Sequence, residues 1–265
     1  MTEYKFTQAS AADLAALKLQ YRDTLAAPLD GMWEHFTSGA THHAITDGAK
    51  TIGHCVINSE HKLLQFFVSS GRDMRSVFSQ MLTELTVTGA FLASFEQQTL
   101  ALAMDHQKSV AVHALMYHLN TGAVVAAATF PADSKFRLLE LADLKPAVAF
   151  GAETLGADAG WLSGYFSDLI NKGQLYGLLH GGNIIATGEC RASESQKPYA
   201  DVGMVVSKNC RGQGVATNIL RQLLHVCAGK DLKAICSTER TNIAAQKAIS
   251  KAGFSSSHRM LEFGF

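Results

Sequence analysis

The chain has 265 residues, of which 47% are hydrophobic and 17% charged. That is enough for one large or two modest domains with a substantial core, and it excludes a disordered chain. Basic and acidic residues balance at 23 each, so the basic excess of a dedicated nucleic-acid binder is absent.

The five cysteines, Cys55, Cys190, Cys210, Cys227 and Cys236, are scattered and form no CxxC pair. An odd, dispersed set argues against a disulfide framework and for a reducing, cytoplasmic setting. The opening MTEYKFTQAS is polar and no apolar run approaches membrane-spanning length, so neither a signal peptide nor a membrane helix is expected.

Ser10 and Asp13 read as a helix start, with a short carboxylate in place of the usual Glu of a capping box. Leu14, Leu17, Tyr21 and Leu25 then form an apolar stripe that Pro28 ends. Residues 41–57 read as a hairpin turning at Asp47-Gly48, and residues 63–68 as a further strand. After the link Ser-Ser-Gly-Arg-Asp at 69–73 comes a helix with Val77, Leu82 and Leu85 inward. Residues 90–103 and 110–119 are apolar, and their period does not separate strand from helix. His42, His43, His54, His61, His106, His113 and His118 all fall in this half, without HExxH or comparable spacing. His54 and Cys55 would face opposite sides of one strand, so no metal site is expected and the histidines read as surface or hydrogen-bonded groups.

A polar passage at 131–135 marks the boundary between a first domain, 1–131, and a second, 132–265. Helices are expected at 144–155 and 160–171, the second carrying Leu162, Tyr165, Phe166, Leu169 and Ile170 and stopped by Lys172-Gly173. Residues 174–179 and 184–191 read as a hairpin turning at Gly181-Gly182, followed by an apolar strand at 202–206. A helix with Val215, Ile219, Leu220, Leu223, Leu224 and Cys227 on one face comes next, then a strand at 232–237. Thr241 can cap a helix with Ala244, Ala245, Ala248, Ile249 and Ala252 inward, and residues 260–265 close the chain as a strand. Helix, hairpin, strand and helix therefore occur in the same order in both halves, the pattern of an internal repeat.

Between the strand at 202–206 and the helix from Val215 lies Arg211-Gly-Gln-Gly. Gly212 and Gly214 let the backbone turn tightly and let a ligand approach it. The first helical turn leaves unpaired N–H groups under a positive dipole end, and together these make a phosphate cradle. Neither GxxxxGK[ST] nor GxGxxG is completed.

Arg211, Gly214 and Ala216 match [QR]-x-x-G-x-[GA], and Asn242, Ala245, Ala248-Ile249 and Gly253-Phe254 follow the pattern N-x-x-A-x-x-L-Y-x-x-x-G-F. In this order the two stretches resemble the GNAT acyltransferase superfamily. The resemblance implies an α+β fold with a mixed, mostly antiparallel twisted sheet flanked by helices, in two tandem GNAT-like domains. It implies acetyl-CoA as co-substrate, with main-chain groups of Met204, Val205 and Val206 on the pantetheine arm. The amides of Gly212, Gln213, Gly214, Val215 and Ala216, with the Arg211 charge, would hold the pyrophosphate, and Asn242 would meet the pantetheine end or simply cap its helix. The loop at 71–76 lacks the second glycine and the small residue, so the first half is expected to have lost its cofactor loop and to complete the acceptor cleft or stabilise its neighbour.

The family reaction is direct attack of an amine on the thioester in a ternary complex. Glu189 and Asp201 are candidate bases, each open to the alternative of a solvated strand-end charge. Ile249 stands at the position of the family's tyrosine acid and cannot donate a proton, so Ser237, Ser250 or water would serve the leaving thiolate. Trp161 and Tyr165 would contact the acceptor or pack. The expected activity is N-acetyl transfer to a small-molecule primary amine by a monomer or homodimer, without metal, nucleic acid or membrane. The alternative is a non-catalytic acyl-CoA sensor.

Overall fold

The same succession of elements occurs twice along the chain. The first set is β1 (Tyr4–Gln8), α1 (Ala15–Asp23), α2 (Gly31–Ser38), β2 (Thr41–Asp47), β3 (Lys50–Ile57), β4 (Lys62–Val68), α3 (Met74–Glu84), β5 (Gly89–Ala93), α4 (Gln97–His106) and β6 (Ser109–Leu119). The second is β7 (Ser134–Leu138), α5 (Leu144–Leu155), α6 (Ala159–Asn171), β8 (Leu175–His180), β9 (Asn183–Ala192), β10 (Tyr199–Val206), α7 (Val215–Ala228), β11 (Lys233–Glu239), α8 (Ile243–Lys251) and β12 (Phe254–Gly264). The computed structural model describes residues 4–69, 71–120, 122 and 125–265; the first three residues of the polar start and Ser70 of the 69–73 link lie outside the described residues. The chain divides into unit 1, Met1–Met116 with Ser257–Phe265, and unit 2, Tyr117–Ser256.

In unit 1 the strands run β1-β2-β3-β4-β5-β12-β6. β1 to β4 are an antiparallel meander, whereas β4 and β5 run parallel. The last strand returns to this unit, Met260–Gly264 pairing with Ala93–Gly89. One face buries Phe66, Val77, Phe78, Met81 and Phe263 in a common core with α3 and α4. The other buries Val56, Phe67 and Met260 under Tyr21 of α1 and Trp33 of α2. Ser10 and Asp13 form their box, each side chain accepting from the other's backbone N–H at 3.1 Å.

Unit 2 orders its strands β11-β10-β9-β8-β7. Leu139, Leu162, Phe166, Leu169 and Leu175 make the core under α5 and α6. α7 covers the opposite face and buries all six residues of its foreseen stripe, each contributing about 1.5–3 kcal/mol except the smaller cysteine. Gly188 of β9 lets α7 approach closely, since a Cβ there would lie 2.9 Å from Ile219.

Residues 90–103, whose period left strand and helix open, divide into β5 and α4. Several other elements differ from expectation. β1, α2 and β7 went unforeseen, because two are five-residue strands and the third is an eight-residue helix, each too short for a period to show. α8 is capped by Asn242 rather than Thr241, the Asn242 carboxamide oxygen accepting from the Ala245 N–H at 3.1 Å. The helix therefore starts one residue later than a Thr241 cap would place it, and Ala244 is exposed. His54 is not a surface histidine: it is fully buried, edge-on to Tyr21 with ring centroids 5.8 Å apart.

Candidate active site

β10 pairs with β9 along Ala200–Val206 but with β11 only at Tyr199, Ala200 and Asp201. Beyond Asp201 the parallel neighbours part. The edge of β10 facing β11 then has main-chain groups outside the ladder, and buried backbone groups need partners. Gly203, Met204 and Val205 are half-buried there, and Val206 is buried.

Past β10 a short 3-10 turn, Lys208–Cys210, leads to Arg211, Gly212, Gln213 and Gly214, all exposed. Both glycines take positive φ, +76° and +80°, which side-chain-bearing residues rarely adopt. A Cβ on Gly212 would meet nothing within 4 Å, and one on Gly214 only Asn218 Nδ2 at 3.8 Å. Gly214 is the N-cap of α7, and no side chain among the described residues caps that helix. Val215 turns inward and is buried, while Ala216 is half-buried. The loop is pinned from below: Arg211 Nε donates to the Val206 carbonyl at 3.2 Å, and Gln213 Nε2 to the Asn209 carbonyl at 3.0 Å. Open space over two glycines and an uncapped helix start fit a diphosphate.

Alternation along β9 and β10 puts Thr187, Glu189 and Arg191 on the face beneath α5 and α6, beside Asp201, Gly203 and Val205. Tyr165 of α6 reaches this face, and its hydroxyl donates to Glu189 Oε2 at 2.7 Å. Arg191 donates through one terminal nitrogen to the Tyr165 hydroxyl at 2.5 Å and through the other to Asp201 Oδ2; the first also lies 3.2 Å from Glu189 Oε2. Neither carboxylate is a solvated strand-end charge, since the side chains of Glu189 and Asp201 are 13% and 4% exposed. Burial raises the Tyr165 hydroxyl well above its usual range, with the Glu189 charge adding to it, so it stays protonated. Burial pulls the Arg191 value down, but Asp201 and then Glu189 more than reverse this, and the guanidinium stays charged. Arg191 Nε and Thr187 Oγ1 are buried without a hydrogen-bond partner among the described residues.

Trp161 is 46% exposed and stacks on Tyr165 with centroids 5.0 Å apart. Gly203 lies opposite Glu189, and a Cβ on it would sit 3.8 Å from Oε2, so β10 leaves the carboxylate uncovered on that side. Ser237 is half-buried on β11, past the last residue paired with β10. Ile249 is buried at 2% exposure in the core. Asn242 is engaged as a helix cap. Sequence reasoning missed Arg191; the available signal was its i, i+2 spacing from Glu189 on a strand, opposite Asp201.

Unit 1 repeats the splay and closes it. β4 pairs with β5 only at Lys62 and Leu63. Counted from the matching hairpins, the register places Val56 opposite Gln65 as Glu189 is opposite Gly203, and His54 opposite Phe67 as Thr187 is opposite Val205. Leu64, Gln65, Phe66, Phe67 and Val68 are all buried. The Thr99 hydroxyl, from α4, donates to the Phe66 carbonyl at 3.2 Å; Ala245, at the same place in α8, has no hydroxyl. At the start of α3, Asp73 Oδ1 accepts from the Ser76 N–H at 3.2 Å, so the chain's own carboxylate occupies that helix end. Arg72 is tied to Asp47 at 2.6 Å.

Among the described residues no cluster of three or more His, Cys, Asp or Glu is placed to hold a metal, and no helix is long and apolar enough to cross a membrane. Two family models match the chain: an acetyltransferase (GNAT) domain over residues 10–120 and the acetyltransferase (GNAT) family over residues 137–254. An acetyltransferase of the GNAT family from Colwellia psychrerythraea is 35% identical in sequence, with 99% of each chain covered and a TM-score of 0.92. A tandem GNAT protein from the clavulanic acid biosynthesis pathway, 12% identical over 98% of both chains, has a TM-score of 0.74. A GCN5-related N-acetyltransferase from Sphaerobacter thermophilus, 13% identical over 98% of this chain and 94% of its own, has a TM-score of 0.72. The last two similarities speak to the fold alone. A search of curated proteins found no match. With a 35% identical GNAT relative along its whole length and a GNAT match in each half, the chain belongs to the GNAT acetyltransferase family and carries the fold twice.

Proposed function

We propose that unit 2 transfers an acetyl group from acetyl-CoA to a primary amine, by direct attack within a ternary complex. The observation that carries this reading is the open splay of β10 from β11, running into a glycine turn and an uncapped helix start. The amides from Gly212 to Ala216 would hold the pyrophosphate and the main chain of Met204, Val205 and Val206 the pantetheine arm. Arg211, exposed in the loop, adds positive charge. Bound there, acetyl-CoA supplies an acyl thioester open to attack by an amine.

Glu189 is the group to take the proton from the incoming amine. It is held from one side by the Tyr165 hydroxyl, and Gly203 leaves it uncovered on another. Asp201 is given over to Arg191 and acts through it, fixing the guanidinium so that Tyr165 and Glu189 keep their places. Trp161, exposed and stacked on Tyr165, offers an aromatic surface to the acceptor. Ile249 cannot protonate the departing thiolate, and in this reading Ser237, on β11 beyond its pairing with β10, assists. Positioning two reactants in one wedge supplies much of the acceleration, so a strong acid is not required. In this reading unit 1 has no second acyl-CoA site.

Calorimetry with acetyl-CoA, followed by thiol release across a panel of primary amines, tests the proposal. Binding with amine-dependent thiol release is the expected result. Binding without turnover for any amine would make the chain a sensor instead, and absence of binding would defeat both.

A further inference from the structure

Two thiols of unit 2 meet where α7 lies on β9. Cys190 and Cys227 are 37 residues apart in the chain, and their sulfurs are 3.5 Å apart, within reach of an S–H···S hydrogen bond. All five cysteines are thiols, and these two are 1% and 2% exposed. Cys190 shares its face of β9 with Gly188, against which Ile219 and Leu223 pack, and Cys227 continues that line one turn further along α7. The Cys190 N–H donates to the Gln174 carbonyl at 2.9 Å. Cys227 stands at a helix end. Its carbonyl accepts from the Lys230 and Leu232 N–H groups at 3.0 and 2.9 Å, α7 stops at Ala228, and residues 228–231 are exposed. Opening that last turn costs less than global unfolding and admits a water-sized reagent to the pair. The two sulfurs are not equivalent. The hydrogen bond from Cys227 lowers the Cys190 value against the effect of burial, and the Lys230 ammonium adds to the lowering. The same bond, and then burial, raises that of Cys227. Attack on an oxidant therefore falls to Cys190.

We propose that Cys190 and Cys227 form a peroxide-sensitive dithiol that closes into a reversible disulfide and ties α7 to β9. The Cys190 thiolate attacks one oxygen of hydrogen peroxide and breaks the O–O bond, and the leaving hydroxide takes up the proton that Cys190 released. Cys227 then attacks the sulfenic sulfur, forms the S–S bond and gives its proton to the displaced hydroxide. Two thiols give up two electrons, and one peroxide becomes two waters. The sulfurs close from 3.5 Å to about 2.0 Å, a movement within reach of a helix end. The bond joins the helix that begins after Gly214 to the strand that carries Glu189 and Arg191 on either side of Cys190. The inference rests on the thiol pair and not on the acetyl-CoA reading.

The full chain is treated with hydrogen peroxide, alkylated in denaturant and digested with trypsin. Peptide 173–191 should appear joined to peptide 222–230, two hydrogens lighter than their sum and separated again by dithiothreitol. The linked chain should unfold at higher urea than the reduced chain. In Cys227→Ser no thiol resolves the Cys190 sulfenic acid, so dimedone should trap it, whereas Cys227 in Cys190→Ser should take up none. Absence of the linked peptides, or their appearance only when peroxide meets the unfolded chain, overturns the proposal. Dimedone on Cys227 as readily as on Cys190, or a urea midpoint that does not rise, overturns it too. The wild-type linkage decides the matter if either serine variant does not fold.

Discussion

The two splayed strand pairs share one backbone plan and differ in what fills them. In unit 2 the strand before the splay carries Gly203, Met204 and Val205, all half-buried; in unit 1 the corresponding run through Phe66 and Phe67 is wholly buried. The buried Gln65 stands where Gly203 leaves Glu189 open, Phe67 takes the place of Val205, and the Thr99 hydroxyl takes a β4 carbonyl for which its counterpart Ala245 has no donor. A glycine without a cap begins α7, whereas Asp73 caps α3 with its own carboxylate. One backbone plan can therefore be left open in one unit and filled with core in the other, with a gain in buried apolar area.

The largest expected effect comes from filling the loop. Gly214→Trp should weaken acetyl-CoA binding at least about a hundredfold, some 2.7 kcal/mol or more, while Gly71→Trp, also at a positive-φ glycine with open space around it, should leave binding unchanged. Equal effects at both positions would erase the distinction between the units. Next is Arg191→Met, which strands Glu189 and Asp201 in a buried setting and should cost about 3–5 kcal/mol in a urea melt. Glu189→Gln should leave acetyl-CoA affinity intact and lower kcat about 10²–10⁴-fold; unchanged kcat would remove Glu189 from the reaction. Gly203→Val gives β10 a side chain at the position where β4 carries Gln65. Its new Cβ makes an ordinary contact with Glu189, so the variant should fold and lose about tenfold in kcat/KM through a misplaced carboxylate.

A separate effect, on stability alone, concerns the buried acid of unit 1. Glu96 accepts from Tyr21 and from the Ala93 N–H, and burial raises its pKa from 4.5 to about 7. A carboxyl that holds its proton more tightly in the folded state is penalised as pH climbs from 4.5 through 7, and the penalty is complete above that. Relative to Glu96→Gln, the wild-type chain should lose about 1–3 kcal/mol between pH 5 and pH 8 in denaturant unfolding. Parallel pH profiles would show that Glu96 is not held protonated.

How much of this the sequence disclosed follows from how local each feature is. The glycine turn before α7 was legible because its glycines, its arginine and the α7 stripe act through neighbours in the chain. The repeat was legible from the order of elements even though the two halves share little sequence. The Tyr165–Glu189–Arg191–Asp201 network was seen only in part, since three elements must meet before Arg191 stops looking like a solvated charge. The plugging of unit 1 was suggested by its missing second glycine, but Phe67 and Thr99 reveal their role only once β3, β4 and α4 are in register.

The central claim is that one wedge of the two is open, and counting acetyl-CoA sites tests it most directly. Calorimetric titration of the whole chain should give one site, lost in Gly214→Trp and preserved in Gly71→Trp. Two sites, or a single site that survives Gly214→Trp, would contradict it.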